Sequence, residues 1–322
     1  MPAPVHLDPR LLRAFVTVAE ELHFTRAAAR LYVAQQALSR DVRRLERELG
    51  AELFVRSTRQ VALTADGERL LPYARRALQA QDDLLAAAGQ ARALLVDLNS
   101  PGLSTGSLVL DRARRLAPEL ELMARYESGL THAAAELLAG RLDASFGRVA
   151  GLAPALRAGL DHQPVRYEAM ALVLAEDHPL AASPAVPLAA LAGETVYAGA
   201  GNPRTPEWTD LAHRLFAGRD IEVAPPMPLA VGVEEFRRVV GRAGHPVLAV
   251  TGFPAMPGTV VRPLVEPVPL SPVSLVWRRG LAHPALTALR RAAARVAAEE
   301  GWLERPDGGW LPATDLAVMS GA

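Results

Sequence analysis

The chain of 322 residues is half apolar, and its 35 basic and 35 acidic residues give a net charge of zero at neutral pH. This length fits two or three domains with substantial cores. The chain has no cysteine, which excludes disulfides and thiolate chemistry, and no lysine, which excludes lysine P-loops and Schiff-base lysines. Because it shows neither a signal peptide nor an apolar run long enough to cross a bilayer, we expect a cytoplasmic protein without a membrane partner.

The first 50 residues are predicted to form three helices. Apolar residues recur at spacings of three and four between 8 and 22, and Asp8 is a typical residue for the start of that helix. Thr25 is predicted to cap the second helix. The third helix runs from about 35 to 49, and Gly50 is predicted to end it in a left-handed conformation.

The third predicted helix is apolar on one side and polar on the other. Leu38, Val42, Leu45 and Leu49 are spaced by four, three and four residues, so they share a buried face. Two helices joined by a short turn, the second polar outside, form the helix-turn-helix pattern of DNA-binding proteins. A plain three-helix cluster with a solvated charged face has the same pattern, and both interpretations stay open at this point. The outward residues are Gln35, Gln36, Ser39, Arg40 and Arg43.

A basic hairpin is predicted after the third helix. Residues 53–55 and 60–63 are short strand candidates, and residues 56–59 join them. Arg56 and Arg59 in this connection are expected to reach DNA phosphates or the minor groove. The hairpin favours a winged helix-turn-helix domain over a plain helical cluster.

Seven segments, in this order, resemble the signature of the LysR-type transcriptional regulators. The resemblance implies an α/β protein with an N-terminal winged helix-turn-helix, a long linker helix that forms dimers or tetramers, and a two-lobed, periplasmic-binding-protein-like effector domain. It implies operator DNA and a small-molecule effector as partners, with no cofactor and no enzymatic activity. The expected DNA contacts are Thr25, Arg26, Gln35, Gln36, Ser39, Arg40, Arg43, Arg56 and Arg59. The matching segments are Leu12–Glu20, Phe24–Ala28, Ala37–Arg40, Arg44–Glu46, Leu49–Gly50, Leu53–Arg56 and Leu63–Gly67.

The chain departs from the family pattern at two positions in the helix-turn-helix. The family usually has Ser where this chain has Ala34, and often Pro where it has Gln36. Ala34 offers no side-chain oxygen to cap the recognition helix, which costs about 0.5–2 kcal/mol. Gln36 can pair with adenine N6 and N7, so we expect an altered operator preference, which a binding selection with Gln36→Pro tests.

A long helix is predicted from 64 to about 94. Leu71, Leu78 and Leu85 lie on one heptad seam, which is expected to pair with a second copy of the chain. Packing of the same face against the chain's own body is the alternative.

Short apolar runs alternate with helical stretches after residue 94, which predicts βαβ units and a parallel sheet. We expect a winged domain at 1–64, a linker helix at 65–92, an effector domain at 93–305 and an irregular tail at 306–322. Lobe I is expected at about 93–166 and 268–305, and lobe II at about 167–267. Predicted strands are 94–98, 121–126, 143–147, 168–175, 247–250 and 271–277, and predicted helices are 104–116, 131–139, 206–216 and 284–300. Residues 195–198, 221–224 and 233–240 are predicted to be further elements of lobe II.

Candidate effector-binding residues follow the predicted strands. Ser100, Ser128 and Arg148 each follow a strand of lobe I, and Thr251 and Phe253 follow a strand of lobe II. Ligands bind at such carboxyl ends, and helix N-termini together with an arginine favour a small anion such as an organic acid. Each of these residues also suits a plain cap or turn.

Two other functions compete with this interpretation. Residues 102–106 match the nucleophile-elbow pattern around Ser104, but four residues separate Ser104 from the strand, and no partner is placed by sequence. A capped helix start is therefore the better interpretation, and we expect no catalytic residue. The eight histidines have no metal-ligand spacing, so we expect no metal. A ligand-binding protein without transcriptional output remains the other alternative.

Overall fold

The computed structural model describes residues 7–56, 61–87, 92–99, 103–127, 129–227, 238, 244–254 and 256–320. The predicted contacts at Arg59, Ser100 and Ser128 lie outside these residues, as does the predicted element at 233–240 apart from Arg238. The chain divides into two compact units, residues 1–91 and 92–322. Within the described ranges, no helix is long and apolar enough to cross a membrane.

The first unit contains three short helices, a two-stranded wing and one long helix. Its elements are α1 (Pro9–Glu21), α2 (Phe24–Arg30), α3 (Gln35–Leu49), β1 (Phe54–Arg56), β2 (Val61–Leu63) and α4 (Ala65–Ala87). Asp8 starts α1 as predicted, because its Oδ1 accepts a hydrogen bond from the backbone N–H of Arg10 at 2.8 Å. Gly50 ends α3 with a φ of 65°, also as predicted.

The start of α2 differs from the prediction. His23, not Thr25, caps this helix, and its Nδ1 accepts hydrogen bonds from the backbone N–H groups of Thr25 (3.2 Å) and Arg26 (3.4 Å). The prediction for Thr25 was wrong because an imidazole nitrogen takes the place of the usual hydroxyl oxygen.

The core of the first unit lies beneath α3. Leu38, Val42 and Leu45 are fully buried there, as the heptad-like spacing predicted. They share a cluster with Phe15 and Phe54, whose rings meet edge to face with centroids 5.6 Å apart. This packing fixes which side of α3 faces outward.

The second unit contains one large mixed sheet and a separate pair of short strands. The strands are β3 (Leu94–Asp97), β4 (Leu122–Arg125), β5 (Ala144–Gly147), β6 (Leu160–Ala175), β7 (Val186–Pro187), β8 (Thr195–Val196), β9 (Glu222–Val223), β10 (Val247–Val250), β11 (Thr259–Val265), β12 (Val268–Arg278) and β13 (Gly309–Trp310). The main strands of the large sheet lie in the order β4-β3-β5-β12-β6-β11-β7, with β10 also paired to β6 and β13 to β12, while β8 and β9 form the separate pair. β3 runs parallel to β4 and β5, as the βαβ pattern predicted.

Two lobes with separate cores lie along this sheet. In lobe I, Leu94 and Val96 of β3 pack with Leu289, while in lobe II, Leu172 packs with Leu211. The long strands β6 and β12 belong to both lobes and pair antiparallel along most of their length. The helices are α5 (Ser104–Leu116), α6 (Leu130–Leu138), α7 (Pro154–Arg157), α8 (Pro206–Phe216), α9 (Pro284–Glu299) and α10 (Ala313–Met319), and short 3-10 turns cover Val149–Gly151, Pro179–Ala182 and Leu188–Leu191.

The C-terminal segment corrects the prediction of an irregular tail at 306–322. β13 pairs in parallel with the start of β12, and α10 follows it. Leu311 and Met319 are buried. The prediction was wrong because a two-residue strand and a seven-residue helix carry almost no periodicity, so tertiary packing decides their structure.

Candidate DNA-contact surface and interlobe seam

The outward face of α3 displays the predicted polar residues. Gln35, Gln36, Arg40 and Arg43 are exposed, and Ser39 is half-buried between them. Gln35, Ser39 and Arg43 are spaced by four residues, as are Gln36 and Arg40, so the two rows lie side by side on one face of the helix. We call these five residues the recognition face.

Some arginines of the first unit form salt bridges with carboxylates in the described part of the chain, and others do not. The guanidinium of Arg30 lies 2.9 Å from a carboxylate oxygen of Glu20, and that of Arg44 lies 2.7 Å from Glu48. Among the described residues, no carboxylate lies within salt-bridge distance of Arg40 or Arg43. The recognition face therefore presents cationic groups that no described carboxylate neutralises, as a phosphate-binding surface requires.

The other predicted DNA contacts of the first unit lie at helix or strand ends. Thr25 and Arg26 are exposed in the first turn of α2, where Arg26 donates a 2.6 Å hydrogen bond to the carbonyl oxygen of Glu21. Arg56 ends the first wing strand opposite Val61. Ala34 occupies the position before α3 without a side-chain hydrogen bond, as predicted.

The three leucines of the predicted α4 seam have two different environments. Leu71 and Leu78 are half-buried against the core of the first unit, so these two contacts follow the alternative of packing within the chain. Leu85 is 39% exposed and its neighbour Leu84 is 69% exposed. Among the three predicted seam leucines, Leu85 therefore has the most exposed side chain.

Arg148 lies between the two lobes rather than in an open site. It follows β5 of lobe I and is almost fully buried. Its Nε and Nη2 each donate a 2.8 Å hydrogen bond to Asp315, and its Nη1 donates to Asp210 (2.7 Å) and to the carbonyl oxygen of Glu207 (2.8 Å). Burial lowers the pKa of Arg148, but the hydrogen bonds and charges of Asp315 and Asp210 outweigh it and raise the pKa. An anionic effector at Arg148 would have to displace one of these carboxylates.

Glu207 of lobe II accepts hydrogen bonds at the N-terminus of α6 in lobe I. Its Oε1 accepts a hydrogen bond from the backbone N–H of Leu130 at 2.8 Å, and its Oε2 accepts one from Thr131 Oγ1 at 2.6 Å. A carboxylate is well placed there because the N-terminus of a helix carries partial positive charge. We call Arg148, Glu207, Asp210 and Asp315 together the interlobe seam.

Two glycines of lobe I allow this close approach of lobe II. A Cβ atom on Gly129 would lie 2.1 Å from the carbonyl oxygen of Arg204, and one on Gly151 would lie 2.5 Å from Cβ of Glu207. Gly129 also has a φ of 93°, which other residues rarely adopt. The lobes are therefore in direct contact along the seam.

Glu168 lies where β6 passes from lobe I to lobe II. Its Oε1 accepts a 2.5 Å hydrogen bond from Thr105 Oγ1, which in turn accepts one from Arg166 at 3.0 Å. Glu168 is partly exposed, but burial of its carboxyl group among protein atoms raises its pKa. The hydrogen bond from Thr105 and the positive charge of Arg166 lower the pKa by less than burial raises it. The first turn of α5 thus has a carboxyl group of the chain beside it.

The remaining predicted residues lie near the start of α5. Thr251 is exposed and its backbone N–H donates to Ala169, while Phe253 is half-buried against a small apolar cluster. The intervening Gly252 would place a Cβ 3.8 Å from Ser104 Oγ. Ser104 is the first residue of α5 and Leu103 precedes it without a side-chain cap, so the predicted capped start was wrong. In the described part of the chain, no histidine or carboxylate bonds to Ser104.

The sequence prediction missed Glu207, Asp210, Asp315 and Glu168. Apart from Arg214, four residues after Asp210, and Thr314, next to Asp315, their hydrogen-bond partners lie 59 to 167 residues away along the chain, a separation that local patterns do not report. A partial signal existed for Asp315, because an acidic residue shortly after Pro312 is typical of the first turn of a helix.

Two family models match the chain over the regions that contain the recognition face and, apart from Asp315, the interlobe seam. Residues 9–68 match the bacterial regulatory helix-turn-helix proteins of the LysR family, and residues 99–298 match the LysR substrate binding domain. The chain belongs to the LysR family. This LysR-type chain is a DNA-binding transcriptional regulator with an effector-binding domain, and the interpretation as a plain helical cluster is excluded.

Curated relatives support this membership along most of the chain. The regulator CatR of Pseudomonas putida is 33% identical over 86% of this chain and 95% of its own length. The uncharacterised regulator YnfL of Escherichia coli K12 is 39% identical over 59% of this chain, a match that spans 65% of YnfL.

Solved structures share the fold. A full-length OxyR variant from Pseudomonas aeruginosa aligns with a TM-score of 0.64 at 24% identity, covering 89% of this chain and 95% of that one. Full-length CbnR in complex with its target DNA aligns with a TM-score of 0.60 at 22% identity, covering 90% and 99%.

Proposed function

We propose that this LysR-type regulator reads operator DNA through the recognition face of α3 and changes its output when a small effector binds between the lobes. It acts in the cytoplasm, where its DNA lies. The observation that carries the proposal is the pair Arg40 and Arg43, two exposed cations without a carboxylate partner among the described residues. They stand beside the exposed amides of Gln35 and Gln36, which can hydrogen bond to base edges.

Recognition requires two copies of α3 on the DNA. A helix fits the major groove of B-DNA, where Gln36 can pair with adenine and an arginine with guanine or phosphate. Two copies joined along the exposed end of α4 would place their recognition helices in successive grooves of a two-half-site operator. The proposal therefore includes self-association through Leu85, with dimers or tetramers as the assembled form.

The effector is proposed to bind near the start of α5 and the loop 251–253. Ser104 and Thr251 offer exposed hydroxyl groups there. The organic anion predicted from the sequence has less support, because Asp315 and Asp210 neutralise Arg148. The carboxyl of Glu168 also lies beside the first turn of α5, so we expect an effector that donates hydrogen bonds there.

Selection of genomic fragments by the full-length protein tests the DNA-binding proposal. We expect recovered fragments to share a site with two related half-sites. Arg43→Ala should weaken binding by roughly 1–3 kcal/mol if the side chain reads a base, or reduce the salt slope by about one if it binds a phosphate. Affinity measured at several salt concentrations separates these two roles.

The neighbouring Arg44→Ala is the matched control for this experiment. Both side chains are exposed arginines on α3, but Arg44 is already paired with Glu48. We expect Arg44→Ala to change the affinity much less than Arg43→Ala. Equal effects of both variants would exclude the assigned recognition face. Recovery of no common site by the unmodified protein would instead favour a ligand-binding protein without transcriptional output.

A further inference from the structure

We propose that the C-terminal segment 309–319 is an internal strap that binds both lobes of the effector domain and holds them together around Arg148. Separation of the lobes then depends on release of this segment. The consequence for control rests on the effector-dependent regulation proposed above, whereas the strap itself is a property of the chain alone. The strap lies beyond residues 99–298, the part that matches the LysR substrate binding domain.

The first end of the strap is attached to lobe II. Trp310 is half-buried against the lobe II core, which includes Leu172 and Leu264. β13 also pairs in parallel with Val268 and Pro269, at the start of β12. An indole ring buried in this way provides a large apolar contact for so short a segment.

The other end is attached to lobe I. Val318 packs against the cluster beneath α6, which includes Leu130 and Val276. Met319 is buried, and Ser274 Oγ donates to its sulfur at 3.6 Å. The strap therefore touches the core of each lobe within ten residues.

The middle of the strap supplies the charge that completes the seam. Asp315 is 1% exposed and forms two parallel hydrogen bonds with Arg148 of lobe I. The remaining nitrogen of the same guanidinium reaches α8 of lobe II through Asp210 and the carbonyl of Glu207. Loss of one partner leaves a buried charge incompletely paired, so the strap and the lobe contact stabilise each other.

Glu207 makes a second interlobe contact at which strap release can be measured. Its carboxylate accepts a hydrogen bond from the backbone N–H of Leu130 across the lobes. Neither residue bonds to Asp315, although the Glu207 carbonyl oxygen and Asp315 share Arg148. If the strap holds the lobes together, loosening it should increase opening at the hydrogen bond of the Glu207 carboxylate. If Asp315 affects only Arg148, exchange of the Leu130 amide stays unchanged.

Hydrogen–deuterium exchange of the full-length protein, without effector or DNA, tests the strap. We expect Asp315→Asn to speed exchange of the Leu130 amide by about tenfold, with α9 unchanged as a reference for global unfolding. Asp307→Asn is the matched control, because Asp307 is an exposed carboxylate just before the strap. Unchanged exchange at Leu130 in Asp315→Asn would overturn the proposal.

A second variant covers the case in which Asp315→Asn does not fold. Met319→Ala loosens the lobe I end of the strap and leaves the ion pair in place, so it should speed the same exchange in the same direction. If Met319→Ala folds and leaves the Leu130 amide protected as before, the strap does not hold the lobes. Because no effector or operator is present, failure of the proposed function would not change these results.

Discussion

At the scale of single residues, Ala34 marks an unfilled position at the start of the recognition helix. Its backbone is extended, with φ −68° and ψ 139°, as a cap residue requires, but its methyl group accepts no hydrogen bond. Ala34→Ser should therefore stabilise the first unit by roughly 0.5–2 kcal/mol, since the hydroxyl can accept from a free N–H in the first turn of α3. Denaturant unfolding of the full-length chain measures this gain.

Ala34→Val is the control for that prediction. It fits the same exposed, extended position but carries no oxygen, so it should give no comparable gain. If Val stabilises as much as Ser, or if Ser gives no gain, the helix start is satisfied in another way and the capping explanation is wrong.

Residue types alone predicted the recognition face but not the interlobe seam. Gln35 and Arg43 could be placed outward because the apolar spacing of α3 leaves only one side for polar groups. Arg148 was correctly expected at the end of a strand, but its partners Asp210 and Asp315 depend on how distant segments pack. No local sequence pattern distinguishes an arginine that binds an anionic ligand from one that is already paired with two carboxylates of the same chain.

At the scale of elements, α4 combines an intrachain contact with a surface for self-association. Leu78 is half-buried against the winged core, whereas Leu85 is exposed. Leu85→Ala should weaken self-association by on the order of tenfold, about 1.4 kcal/mol, and leave unfolding nearly unchanged. Sedimentation equilibrium over a range of protein concentrations measures the association.

Leu78→Ala, on the same helix, should affect unfolding rather than self-association. It should lower the free energy of unfolding by roughly 1–2 kcal/mol, because it removes half-buried apolar contacts, and should affect association less. If Leu85→Ala associates as strongly as the unmodified chain, the exposed end of α4 is not the contact between copies.

The elements themselves were predictable where their patterns are long. The limits of α5 and α8 match the predicted 104–116 and 206–216, because each helix has an apolar face over about three turns and Pro206 marks the start of α8. β13 and α10 were missed since they are two and seven residues long. Such segments owe their structure to Trp310 and Met319 contacting the lobes, which appear only once the sheet is assembled.

At the scale of the whole molecule, carboxyl groups with opposite pKa shifts lie in the effector domain. Burial raises the pKa of Asp97 and of Glu168, against the effect of their hydrogen bonds. For Asp210, hydrogen bonds from Arg214 and Arg148 outweigh burial and lower the pKa. Asp210 therefore contributes stability above its ordinary pKa of 3.8, and this contribution is lost as pH falls.

Glu168 should act on stability in the opposite direction. Because its folded pKa is raised, the folded chain binds more protons than the unfolded chain at pH values above the ordinary 4.5, so stability falls as pH rises through this range. Glu168→Gln keeps an oxygen for Thr105 but removes the ionisation. The midpoint of thermal unfolding should therefore rise in the variant relative to the unmodified chain, and the difference should grow as pH rises above the ordinary pKa of 4.5.

Glu176→Gln separates this effect from a general change in charge. Glu176 follows the same strand, β6, and is exposed, so its replacement should give no difference that grows with pH. If the midpoints of thermal unfolding of Glu168→Gln and the unmodified chain differ by the same amount at every pH, the Glu168 carboxyl is no harder to ionise in the folded state than in the unfolded state. If the difference grows with pH, a neutral hydrogen-bonding group at position 168 is more stable in the folded chain than a charged carboxylate. The effector proposal requires this result.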